Sequence, residues 1–189
     1  MIPVGYMAKR VSLRPDWIKT ANVVDVYSVS GCGVARDFCD NLGGIPYDND
    51  WNHNGFWFFD SPELIKAVAK RKSIQLDGTL LFYYEVCELE LDAGNWQAFG
   101  PEPSIPTNVR VPAYKQLEGF DVVTVSNRGA VEHSPLSCNS MADELATNVH
   151  CLFASLEEAQ ANLNNGLFNF DTSEPGPYRI SSVNSVGWG

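Results

Sequence analysis

The side chains best suited to chemistry are gathered between His133 and Cys151, a stretch holding two of the three histidines and two of the five cysteines. A zinc site wants four convergent ligands, usually with a close cysteine pair. Here the order is His133, Cys138, His150, Cys151, which matches no common zinc spacing. On a strand, adjacent His150 and Cys151 would also point to opposite faces. No metal and no cofactor are therefore expected. A Cys138 nucleophile with His150 as its base, and His133 close by in sequence, is chemically coherent, because a neighbouring imidazole lowers a thiol's pKa and activates it. A packed cysteine and a hydrogen-bonded histidine account for the same residues more simply, so no catalytic residue is favoured.

Other constellations point toward binding. Glu88, Glu90 and Asp92 alternate with Cys87, Leu89 and Leu91, so one extended strand would place three carboxylates on one face. Such a stripe either discourages edge-to-edge aggregation or awaits Lys and Arg from a partner. Trp51, flanked by Asp48 and Asp50, is a further candidate contact, because a flat ring brings large area at low entropic cost. Gly31-Cys32-Gly33 is too short for a phosphate loop. Neither Ser30 nor Ser137 has the GxSxG setting of a hydrolase elbow.

The 189 residues carry a formal charge of -10. That opposes direct nucleic-acid binding, which needs a basic footprint, and docking on anionic lipid. No apolar run reaches the roughly 20 residues that span a bilayer. The five cysteines include no CxxC pair, and reduced thiols in a cytoplasmic protein are the simplest expectation. The leading functional expectation is a small acidic inhibitor that masks a basic surface or active site of a partner protein. Immunity proteins and phage anti-defence proteins fit that description by size, acidity and lack of motif. A cysteine-dependent enzyme using Cys138 and His150, and a small-ligand module, are the alternatives.

The elements that must position these residues are legible from caps and breakers. Residues 1–20 predict a short strand and a helical turn near Pro15, and residues 22–30 a strand. Val34 to Leu42 predict a short helix, and Phe56 to Phe59 a buried strand. Ser61-Pro62-Glu63 starts a helix with a cap, a first-turn proline and an acid. One long strand is expected from Leu80 to Leu91, with Asp92 to Asn95 turning into a second. Four prolines between Gly100 and Ala113 mark a connector between residues 1–99 and 115–189. Strands near 121–126, 149–153 and 178–186 follow, with a helix capped by Ser140 and another opened by Ser155 and Glu158.

The two parts resemble each other. Asp25 to Gly31 reads against Asp121 to Asn127, and Asn54 to Glu63 aligns without a gap with Asn148 to Glu157. The expected class is α+β, with mixed α/β as the alternative, built from two similar β-α-β-α-β halves packed as one pseudo-symmetric unit with room for a ligand site between them.

Overall fold

A computed structural model describes residues 1–30, 35–37, 53–168 and 175–189, with 35–37 described at the backbone only. The expected Val34–Leu42 helix lies largely outside these residues, and its described part, Ala35–Asp37, is strand.

Eight strands form a curled antiparallel sheet. β1 (Ile2–Leu13) pairs with the short β2 (Asp25–Val26) and β3 (Ala35–Asp37) on one side, and with β4 (Leu80–Val86) on the other. β4 pairs with β8 (Tyr178–Val186), whose opposite edge takes β7 (Gln116–Thr124). β5 (Leu89–Asp92) also meets β8, and β6 (Asn95–Ala98) closes the sheet as its outer strand. Among the described residues the helices are α1 (Pro62–Lys72), the single turn α2 (Pro135–Cys138), and α3 (Leu156–Asn164), with one 3-10 turn at Met141–Asp143.

This overturns the expected pair of β-α-β-α-β halves. Strand outweighs helix by 32% to 17%: the helices expected after Ser61 and Ser155 form, but only a 3-10 turn follows Ser140, and β1 alone takes 12 residues as strand. β1 runs to Leu13, and a single turn closed by the Ile18 amide on the Pro15 carbonyl at 3.1 Å follows where a helical turn was expected. Residues 22–30 contribute only two strand residues, and the backbone amide of Val29 donates to Asp121 at 2.8 Å. The Asp25 and Asp121 segments are therefore contact partners rather than equivalent strands. Two packed clusters make up the core, and each draws on both parts of the chain: Val123, Val125, Leu152 and Val183 join the first, while Ile18, Val23 and Val26 join the second.

What does recur is a corner. Phe56 to Phe59 is buried as expected, yet it is a tight loop folded around Asn54. The Asn54 Oδ1 accepts from the amides of Phe56 (2.9 Å) and Phe58 (3.2 Å), and its Nδ2 donates to the carbonyl of Val4 at 2.9 Å. Asn148 repeats this, accepting from His150 (2.9 Å) and Leu152 (3.1 Å) and donating to the carbonyl of Glu118 at 2.7 Å. Trp57 and Cys151 each take a left-handed conformation, φ 68 and 63, which tightens the loop at a local cost of about 1–2 kcal/mol. Each corner then returns one backbone pair to a strand, Phe59 to Tyr6 and Phe153 to Phe120. The strand residue beforehand must be glycine. A Cβ on Gly5 would lie 2.5 Å from the Phe59 carbonyl oxygen, and one on Gly119 2.7 Å from that of Phe153.

A serine-capped helix follows each corner. The Ser61 side chain accepts from the amide of Leu64, and Ser155 from that of Glu158. α1 buries Ile65, Val68 and Ala69, worth about 1.5–3 kcal/mol for each large side chain. Lys70, Arg71 and Lys72 sit at its negative end. By contrast, Ser140 caps nothing: it takes φ 60 without a side-chain bond, and only a 3-10 turn follows. The proline-rich connector forms no element but packs onto the first corner. There the Arg110 amide donates to the Asp60 carbonyl at 2.9 Å, and the Tyr6 hydroxyl to the Arg110 carbonyl at 2.5 Å.

Candidate functional site

The residues expected to do cysteine chemistry are not brought together. Cys138 is held in a disulfide, which removes its thiolate. Cys151 is buried, and burial, reinforced by Asp121 and Asp143, pushes its thiol up to about 12. Burial likewise raises the Cys87 thiol. None of these is an activated nucleophile. His150 is committed elsewhere: its Nδ1 lies 2.5 Å from an Asp25 oxygen, its Nε2 3.8 Å from a Glu118 oxygen, and its ring stacks on Tyr27 with centroids 4.0 Å apart. The His133 backbone pairs with Thr124. Among the described residues no group of three or more His, Cys, Asp or Glu side chains is placed to hold a metal ion.

The acidic stripe takes a different shape. The chain bends at Cys87–Glu88, so the expected long strand becomes β4 and β5, and the three carboxylates part company. Glu88 is exposed on the rim of an apolar cleft of about 440 Å³, whose walls include Leu89, Trp96 and Leu156. Glu90 and Asp92 line a second cleft, of about 670 Å³, on the opposite face of the β5–β6 hairpin. Its other walls are the Gly100–Pro103 end of the connector, the Ser126–Gly129 turn and Arg179, so residues from both parts of the chain build it. Trp51 lies outside the described residues.

Strand alternation creates this two-sided hairpin. Leu89 and Trp96 face the apolar cleft, while Glu90, Asp92 and Gln97 face the polar one. A two-residue turn joins the strands at Ala93 and Gly94, both with positive φ (46 and 81), the geometry that matches strand twist.

The floor of the polar cleft is a closed ion pair. The Arg179 Nε donates to Glu90 at 2.8 Å, its Nη1 donates to the Gly129 carbonyl at 3.2 Å, and its guanidinium carbon sits 3.8 Å from the Phe99 ring centroid. Both partners are buried, 8% and 7% exposed. Burial pulls the Arg179 pKa down and Glu90 opposes that. A buried pair of this kind adds little net stability, but losing one partner strands a desolvated charge. Glu90 is thus an internal counter-ion. The charges left on the walls are Asp92, Glu102 and Arg128. Asp92 takes only a 3.3 Å bond from Gln97, and Glu102 one from Ser104 at 3.0 Å; among the described residues neither meets a cation. Sequence reasoning missed Arg179, which lies far along the chain from the stripe and meets it through the β5–β8 pairing, and Phe99, which directly follows β6 and lies against that guanidinium.

Compared with protein families, curated proteins and solved structures, the chain matches none of them.

Proposed function

We propose that the chain is a protein-binding module that docks a basic surface of a partner protein and acts by masking it. The observation that carries this reading is the polar cleft, where among the described residues Asp92 and Glu102 meet no cation while the buried Arg179 of its floor is already matched by Glu90. The overall charge of -10 supports it, since opposed potentials speed association. The cleft's volume of about 670 Å³ also suits a small ligand, which makes a compact cationic ligand the second reading. The cysteine-enzyme reading loses its named nucleophile, because Cys138 is held in a disulfide.

No helix among the described residues is long and apolar enough to cross a membrane. The Cys138 disulfide favours an oxidising compartment over the cytoplasmic location that cysteine usage alone suggests.

Charge reversal tests the docking. The double variant Asp92→Lys, Glu102→Lys is compared with Asp77→Lys, Glu144→Lys, which changes net charge equally at exposed sites away from the cleft. Capture of partner from the native host should fail only for the cleft variant and weaken as salt rises. Equal capture by both variants, or none of the salt dependence, would sink the proposal.

A further inference from the structure

We propose that β6 is an acceptor edge for an extended segment of the partner, whose side chains alternate between basic and apolar. This rests on the reading above, that the partner is a basic protein, and adds how it is held. Among the described residues β6 is the outer strand of the sheet and pairs only with β5. The turn at Ala93–Gly94 makes Asp92 and Asn95 the hydrogen-bonded closing pair. Antiparallel ladders alternate, so Glu90–Gln97 repeats that pairing while Leu91–Trp96 and Leu89–Ala98 do not. Trp96 and Ala98 therefore turn their N–H and C=O groups away from β5. Among the described residues these groups make no backbone bond to another element.

An added strand continues the pleat of β5 and β6, so its successive side chains fall alternately on the two faces of the hairpin. One face offers the apolar cleft beside Leu89 and Trp96, and the other the cleft walled by Asp92 and Glu102. The Trp96 indole is already fixed by its 2.8 Å donation to the Asn164 side chain, which leaves a rigid apolar wall. Charge complementarity then selects Lys or Arg for one set of alternate positions and an aliphatic residue for the other. β6 is only four residues long and carries Asn95 and Gln97. A short polar edge of this kind resists indiscriminate pairing, which confines addition to a segment matching both clefts.

Two labelled hexapeptides of identical composition provide the test with the full-length protein: alternating Lys-Val-Lys-Val-Lys-Val and the block form Lys-Lys-Lys-Val-Val-Val. The alternating peptide should bind about tenfold tighter or more by fluorescence anisotropy, and the Trp96 and Ala98 amides should become protected from hydrogen exchange on wild-type protein. Ala98→Pro removes an outward donor without breaking the β5 ladder, so it should abolish that preference; Trp96→Ala, which removes the apolar wall, should weaken it independently. Equal binding of the two peptides, or unchanged exchange at Trp96 and Ala98, would overturn strand addition. If both peptides bind equally and are lost together with Asp92→Lys, Glu102→Lys, the acidic docking stands and only the strand mode falls. If neither binds, the strand mode also falls, and the capture experiment decides the docking separately.

Discussion

Asn54→Ala is the sharpest test of the corner on which this fold turns. The side chain is 1% exposed and makes four hydrogen bonds, to the amides of Phe56 and Phe58, the carbonyl of Val4 and the carboxylate of Asp60. Truncation leaves three backbone groups buried without partners. Each costs about 1–3 kcal/mol, and partial entry of water into the vacated space puts the sum near the lower bound, roughly 3–5 kcal/mol. Against a total stability of about 5–15 kcal/mol, that is a large loss. Asn148→Ala strips only three bonds from a half-buried side chain, so about 2–3 kcal/mol is expected. Asn54→Asp separates polarity from shape: it keeps the acceptor for both amides but sets a second oxygen against the Val4 carbonyl and the Asp60 carboxylate. It should be nearly as damaging as alanine at neutral pH and recover on acidification, when the new carboxyl regains a proton to donate. Urea denaturation with unchanged slope reads all three values. A cost under about 1 kcal/mol for Asn54→Ala, or one no greater than for Asn148→Ala, would refute the argument that this side chain holds the loop.

Two further outcomes follow from buried ionisable groups. Asp121, fully buried, accepts from the Val29 amide and the Ser134 hydroxyl, and burial, opposed by those bonds and by Lys9, raises its pKa to about 6. A carboxyl with a raised native pKa stabilises the fold while protonated, so its contribution is fully present below the unfolded value and is lost as pH rises to about 6. The wild type should therefore lose stability between about pH 4 and 6 relative to Asp121→Asn, by an amount on the order of 2–3 kcal/mol; parallel curves for the two proteins would contradict this. Of the five cysteines, one disulfide removes two from titration, so alkylation of unfolded protein without reductant should modify no more than three, and all five after reduction. Five reactive thiols without reductant would show that Cys138 is not bridged.

The parts of the fold that were legible share one property: their signals are local. Ser61-Pro62-Glu63 and Ser155 with Glu158 define helix starts through bonds that span three residues, and both caps form. The Ala93–Gly94 turn needs only positive φ at two adjacent positions, and its hairpin forms. What misled was the buried aromatic run Phe56 to Phe59. Burial without alternation reads as strand, but the bonding demand of Asn54, two residues earlier, folds the run into a corner. The acidic stripe failed similarly. Nothing between Cys87 and Asp92 announces that Glu90 answers Arg179, 89 residues away, since that pairing depends on how β5 lies along β8. Lys9 is the same kind of case: a charged residue in a strand, buried because it donates to three successive carbonyls, Ser28, Val29 and Ser30.

The two corners also explain why aligned positions carry unlike residues. Phe56 and His150 occupy the same place after their asparagines, each with its amide bonded to that asparagine. The backbone role is thus identical, and the side chain is free to follow its surroundings. Phe56 meets Phe99 edge-on, at 6.4 Å between centroids, where the connector leaves β6. His150 meets Asp25, Glu118 and the ring of Tyr27, where the 25–30 segment crosses β7. An imidazole at position 56 would face an aromatic wall without a carboxylate, and a phenyl at position 150 would leave the half-buried Asp25 and Glu118 facing one another. Like charges so placed destabilise each other, so the difference between the corners is set by what crosses them. The second corner receives the polar 25–30 segment that Lys9 and Asp121 grip, and the first receives the connector that leads out of β6, the edge to which a partner strand is assigned.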